Sequence, residues 1–153
     1  MSASESRPSG TVTFLFSDIE GSTLRWQRDP EAMAAALARH NELLRAAIES
    51  NGGYVFKTVG DAFCAAFSGV PEAIAAALAA QRALHAQDFS AVEGICVRIA
   101  LHSGYALEQQ GDYFGTTLNR VARLVSIGHG GQTLLSGAAA ELLRDAVPPD
   151  GEL

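Results

Sequence analysis

The sequence predicts an α+β fold: a ferredoxin-like βαββαβ core with an additional C-terminal α-β-α extension. Three observations lead there. Four short apolar runs of strand length lie at Thr11–Phe16, Tyr54–Val59, Ala62–Phe67 and Ile95–Tyr105. Helix-length segments from Pro30 and from Pro71 separate the first run from the second and the third from the fourth. The second and third runs are joined only by Gly60-Asp61, which makes them a hairpin and the whole a split βαβ unit.

Each element has a local reason. Met1–Gly10, rich in Ser, Glu, Pro and Gly, is expected to be a flexible tail, with one domain filling 11–153. Thr11–Phe16 is the first strand, and Thr23–Arg28 a short helical turn. Pro30 suits the first position of a long helix capped by Asp29. Met33, Leu37, Leu44 and Ile48 keep that helix's apolar side in register, and Asn51-Gly52-Gly53 stops it. Pro71–Gln87 is an alanine-rich helix. In Ile95–Tyr105, Val97, Ile99 and Leu101 alternate against Arg98 and His102, the period of a strand. Gln109–Asp112 reads as a turn, Gly115–Ser126 as a helix, Gln132–Ser136 as a strand and Ala138–Arg144 as a closing helix. Gly128–Gly131 precedes a strand and reads as a turn. The long helices are expected on one sheet face, leaving the other free for a ligand or a second subunit.

Composition narrows the function classes. A chain of 153 residues, 48% apolar and 18% charged, can bury a core without disulfides or structural metal. Its net charge of −6 argues against nucleic acid and anionic membranes as partners. Cys64 and Cys96 show no metal-ligand spacing and read as small buried residues in a reducing compartment. No apolar run approaches the ~18 residues of a membrane span, so a cytoplasmic protein is expected. His40, His85, His102 and His129 are scattered without ligand spacing, and Trp26 and Phe114 read as packing or contact residues.

The chemistry concentrates in three places. Asp18 closes the first strand, followed by Gly21-Ser22-Thr23 at the mouth of a helix, and Asp61 sits in the hairpin bend. Adjacent strands can bring both carboxylates to one end of the sheet. Two aspartates with a backbone carbonyl suit Mg²⁺ or Mn²⁺, and free N–H groups at a helix start suit phosphate. Taken singly, Asp18 is equally a cap and Asp61 equally a bend residue. Asn119 and Arg123, four apart, share a helix face and could meet a phosphoryl group. The same helix explains itself as a solvated face backed by Leu118, Val121, Ala122 and Val125. Lys57 interrupts an apolar strand, where a solvent-facing lysine is also ordinary.

The three segments FSDIEGST (16–23), FKTVGDAF (56–63) and GDYFGTTLNRVARL (111–124), in this order and spacing, resemble the class III adenylate/guanylate cyclase catalytic domain. The likeness runs from about Thr11 to Arg144. It implies that Asp18, Asp61 and the carbonyl of Ile19 hold two Mg²⁺ or Mn²⁺ ions per active site. It implies that backbone N–H groups of Gly21, Ser22 and Thr23 hold the terminal phosphates. Lys57 and Asp112 match the pair that reads adenine, lysine donating to N1 and aspartate accepting from the 6-amino group. Guanylate members commonly carry Glu and Cys there, so the implied substrate is ATP. Asn119 and Arg123 match the pair that orients the ribose and stabilises the transition state at the α-phosphate.

The implied reaction converts ATP to 3′,5′-cyclic AMP and pyrophosphate for intracellular signal transduction. In this family one subunit supplies the metal aspartates and the other the base-reading and transition-state residues, so a homodimer is implied. Relatives continue into further strands with a phosphate-binding lysine, so a domain lacking the family's last strands is expected. The alternative is a cyclase-like nucleotide-binding or dimerisation module of low activity.

Overall fold

In the computed structural model, residues 7–144 are described. Strand β1 (Gly10–Ile19) leads through α1 (Ser22–Arg28) and α2 (Pro30–Ser50) to the hairpin β2 (Tyr54–Val59) and β3 (Ala62–Phe67). Then follow α3 (Val70–Ala86), a 3-10 turn at Ser90–Val92, β4 (Val97–Gln109), β5 (Asp112–Phe114), α4 (Thr116–Ser126), β6 (Thr133–Leu135) and α5 (Gly137–Arg144). The sheet order is β2-β3-β1-β4-β5, with β6 parallel beside β4. The antiparallel order β2-β3-β1-β4 is the predicted ferredoxin-like core, and α4-β6-α5 is the predicted extension.

β1 is central because its residues alternate between two buried faces. Leu15 and Ile19 join Phe63, Ala65, Phe67, Val97, Ile99 and Leu101 beneath α2 and α3. From α2, Met33, Leu44 and Ile48 are 0% exposed, each contributing about 1.5–3 kcal/mol of apolar burial. Asp29 caps α2 as expected, its carboxylate accepting from the Ala32 N–H at 3.1 Å, with Pro30 in the first turn. α3 approaches closely because Ala73, Ala76, Ala77 and Ala80 present only methyl groups.

The opposite face is not left free. Val12 and Phe14 pack there with Ala66, Ala100, Tyr113, Val121 and Val125. α4 lies on this face, and the β4–β5 arm folds back across it. Phe14, Phe56 and Tyr113 meet edge-on, with ring centroids 4.9–5.8 Å apart. The reason is compositional: Phe14, Phe16 and Phe56 are too apolar to be left to solvent, and the arm and α4 cover them.

Other boundaries shift for local reasons. β1 runs three residues past Phe16 because β4 pairs with it through Ile19, so Asp18 lies inside a strand. The predicted turn at Gln109–Asp112 shrinks to Gln110-Gly111, both at positive φ, with Gln109 and Asp112 already paired across β4 and β5. Arg7–Gly10 is not loose: Pro8 is buried, its carbonyl accepts from the Tyr113 hydroxyl at 2.6 Å, and Gly10 begins β1. The rest of the expected tail, 1–6, and the end of the domain, 145–153, lie outside the described residues. Cys64 is buried, which pushes its thiol up to about 11, whereas Cys96 precedes β4 and is exposed. Gly131 turns at φ 86° into β6, the expected turn.

α4 docks on β4 through one close approach. Thr117 donates its hydroxyl to the Tyr105 carbonyl at 2.6 Å, and a Cβ at Gly104 would meet that hydroxyl oxygen at 2.7 Å. Gly104→Ala is therefore expected to lose about 1–3 kcal/mol of stability by overpacking, read as a lower urea midpoint with unchanged slope.

Candidate active site

β1 and the β2–β3 bend bring the two aspartates to one corner. The Ile19 N–H donates to Asp61 Oδ1 at 3.4 Å, while Asp18 is the residue before it, its side chain on the sheet's other face. Asp18 is not idle. Arg98, its register partner on β4, grips it in a fork, Nε to Oδ1 at 2.7 Å and Nη2 to Oδ2 at 2.6 Å. This charge-assisted pair raises the Arg98 pKa further above its ordinary value, the hydrogen bond to Asp18 leading. Arg98 Nη1 also reaches the Ser126 carbonyl at the end of α4 (3.4 Å), where a helix terminus favours a cation. Sequence alone assigns Arg98 only a polar place in the alternation of β4. The available signal was a charge in an apolar alternation that cross-strand register sets opposite Asp18.

Beyond Ile19 the chain turns at Gly21, the α1 N-cap at φ 71°, and no side chain caps the helix there. Arg25 holds the turn shut: Nη1 donates to the carbonyls of Glu20 and Gly21, and Nε to those of Val92 and Gly94. Ser22 and Thr23 thus open α1 beside the aspartates, on a turn pinned from behind.

Lys57 and Asp112 meet although β2 and β5 are at opposite ends of the sheet order. Lys57 Nζ lies 3.5 Å from Asp112 Oδ2. A bulge in β2 makes this contact: pairing shifts between Val55 and Lys57, so Phe56 is the extra residue. Phe56 packs edge-on against Phe14 and Tyr113 while Lys57 reaches the arm that crosses the same face. The second Asp112 oxygen, Oδ1, accepts from the Tyr113 N–H at 2.8 Å.

Asn119 and Arg123 are exposed on α4, as is Ala122, which the sequence reading had assigned to the apolar side. Among the described residues, no side-chain hydrogen bond or ion pair links Asn119 or Arg123 to Asp18, Asp61, Lys57 or Asp112. The chain displays three groups whose side chains are not bonded to one another: an aspartate corner, a lysine–aspartate pair and a helix face carrying Asn119 and Arg123. No group of three or more His, Cys, Asp and Glu able to hold a metal occurs among the described residues. Two carboxylates are a hard-oxygen donor set that fits a divalent cation only when carbonyl, water or phosphate oxygens complete it.

Known proteins place the chain in a family. The family described as the adenylate and guanylate cyclase catalytic domain matches residues 4–150. The chain belongs to this family. An uncharacterised protein of Mycobacterium tuberculosis is 40% identical over 148 residues, covering 95% of this chain and 50% of that protein. The adenylate cyclase of Schizosaccharomyces pombe is 33% identical, covering 94% of this chain and 10% of that enzyme. The chain thus spans half or less of the length of these relatives. Among solved structures, adenylate cyclases of Trypanosoma brucei in their monomeric state superpose with a TM-score of 0.81 at 29% identity, over 88% of this chain and 77% of that one. The catalytic core of a rhodopsin-guanylyl cyclase with converted specificity, in complex with ATPαS, gives 0.82 at 25% identity, over 89% and 82%.

Behind the aspartate corner of this cyclase domain sits a buried histidine. His40 of α2 is 0% exposed, its ring edge-on to Phe63, with Nδ1 on Asn41 Oδ1 at 2.9 Å and Nε2 without a partner. Burial lowers its pKa below the ordinary 6.5, against the opposing Asn41 hydrogen bond and the Asp61 charge. His102, bonded to Ser136, shifts the same way through burial and Arg120. Between pH 6.5 and their depressed folded values both are neutral in the fold and take up a proton on unfolding. Their contribution to stability is present above pH 6.5 and is lost as pH falls from there through the depressed folded values. The urea midpoint should fall on acidification below about pH 6.5, and His40→Leu should flatten that slope. An unchanged slope would remove His40 from the account.

Proposed function

We propose that this domain is an adenylate cyclase, converting ATP to 3′,5′-cyclic AMP and pyrophosphate at sites completed by a second copy of the chain. The observation that carries the ATP reading is the Lys57–Asp112 pair at 3.5 Å. One donor and one acceptor, side by side and 48% and 32% exposed, complement the N1 and 6-amino edge of adenine. Guanine presents a protonated N1 and a carbonyl there, which inverts both partners.

In the reaction the ribose 3′-oxygen attacks the α-phosphorus and the bond to the bridging oxygen breaks. Pyrophosphate departs, and the hydroxyl proton passes to water. Asp18 and Asp61, with the Ile19 carbonyl, would hold Mg²⁺ or Mn²⁺, two per site. Those ions supply Lewis acidity for the 3′-hydroxyl and charge neutralisation for pyrophosphate. Gly21, Ser22 and Thr23 would donate backbone N–H groups to the terminal phosphates. Asn119 would orient the ribose, and Arg123 would place fixed positive charge where the α-phosphate gains negative charge.

No side-chain bond joins the three groups within one chain, which is compatible with a shared site in which a homodimer joins the aspartate corner of one copy to the other two groups of its partner. Net charge of −6 disfavours nucleic acid as a partner, and no helix among the described residues is long and apolar enough to cross a membrane. The product would act in intracellular signal transduction, with the cytoplasm, where ATP and Mg²⁺ are available, as the proposed location. A second reading, a nucleotide-binding module of low activity, draws on the Arg98 fork that already neutralises Asp18.

The purified chain with ATP and Mn²⁺ should form cyclic AMP, and Asp18→Ala and Arg123→Ala should each lose about 10²–10³-fold. Mixing the two inactive variants in equal amounts should restore about a quarter of parent activity, since a mixed dimer retains one intact site. Recovery at background level would sink the shared site. Product at background level in the parent as well as in Asp18→Ala would favour the module. A Lys57→Glu, Asp112→Cys double variant should move preference from ATP towards GTP by about tenfold or more. Unaltered ATP preference there would refute the base-reading assignment.

A further inference from the structure

The segment before β1 is built into the arm that carries Asp112. Arg7 Nη1 pairs with Glu108 Oε2 at 3.4 Å, and its guanidinium carbon lies 5.7 Å from the centre of the Tyr54 ring. The same Glu108 oxygen accepts from the Gly111 N–H at 2.8 Å, and the Tyr54 hydroxyl donates to the Gly111 carbonyl at 2.9 Å. Gly111, at φ 85°, leaves room for this: a Cβ would lie 2.8 Å from the Tyr54 oxygen and 3.6 Å from Arg7 Cζ. On the far side of Asp112, the Tyr113 hydroxyl donates to the Pro8 carbonyl at 2.6 Å. Burial foremost pushes that hydroxyl up to about 12.

The two residues flanking Asp112 are therefore both tied, directly or through Tyr54 and Glu108, to Arg7 and Pro8. Both Asp112 oxygens are themselves directed, one by the Tyr113 N–H and one by Lys57. β5 is only three residues long and pairs with β4 alone, so these ties add to the packing of Tyr113 against Phe14 and Phe56 in fixing the arm's tip.

We infer that Arg7-Pro8 is a positioning strap for nucleobase selection, holding Gly111-Asp112-Tyr113 so that the Asp112 carboxylate stays beside Lys57. The inference rests on the ATP reading above and assigns it a residue outside the three cyclase segments. Arg7 touches no substrate in this scheme. It acts through Glu108 and Tyr54, so its loss should relax base discrimination and leave the aspartate corner unaffected.

The test measures equilibrium binding of non-cyclisable ATP and GTP analogues, with Mn²⁺, to the whole chain and to Arg7→Ala, Arg7→Lys, Tyr54→Phe and Asp112→Ala. Hydrogen exchange at the Gly111 and Tyr113 amides is followed in parallel. Asp112→Ala should abolish the ATP preference, and Arg7→Ala should reduce it on the order of tenfold. Tyr54→Phe should act in the same direction, and Arg7→Lys should recover part of the loss. Mn²⁺ affinity should be unchanged, and both amides should exchange faster in Arg7→Ala. If Asp112→Ala loses the preference while Arg7→Ala keeps it, the strap is overturned and the base reading stands. If Asp112→Ala keeps the preference, or the parent has none, the base reading fails and takes the strap's role in selection with it. Unchanged exchange in Arg7→Ala overturns the strap whatever the nucleotides do.

Discussion

The pairing of β1 between β3 and β4 is the constraint on which everything else depends. Its residues are hydrogen-bonded on both sides, from Thr13 to Ser17 with β3 and from Gly10 to Ile19 with β4. A slip of one residue would exchange Phe14 and Asp18 with Leu15 and Ile19 between the two faces, and both cores would fail together. That double penalty holds Asp18 opposite Arg98 and sets the Asp61 bend beside Ile19. The site's first corner is thus a by-product of core registry and needs no rigidity of its own.

Two ion pairs of different character sit on this frame. The Asp18–Arg98 fork is short, two-pronged and about a quarter exposed on each side, so its bonds are among the stronger kind. The Lys57–Asp112 pair is single, longer and more open to solvent, a type worth about 0–1 kcal/mol. Opening the second pair for an incoming base costs little, while disturbing the first costs more. The magnitudes agree with the proposed base-reading role of Lys57 and Asp112, and under the same proposal Asp18 would have to share its oxygens between Arg98 and metal.

Much of the scaffold was legible in the sequence because its signals are local. The Gly60-Asp61 bend sets both hairpin strands, and Asp29-Pro30 announces the start of α2. The fold class and family were legible from three spaced segments. What was not legible depends on contacts between residues distant in sequence. β5 has three residues, too few to show alternation, and exists because β4 extends to receive it. The fork of Arg98, the closure of the second face by Tyr113 and α4, and the Arg7 strap all need the third dimension. So does Lys57. Its place among apolar neighbours looked irregular in one dimension and is resolved by a bulge that local sequence does not announce.

That bulge has a consequence for association. β2 is an edge strand, and a flat, regular edge offers unpaired N–H and C=O groups to any extended chain. The extra residue at Phe56 breaks the spacing of those groups. The same irregularity that brings Lys57 to Asp112 therefore protects the sheet margin from templating aggregates. Straightening β2 would disarm the pair and expose the margin in a single step.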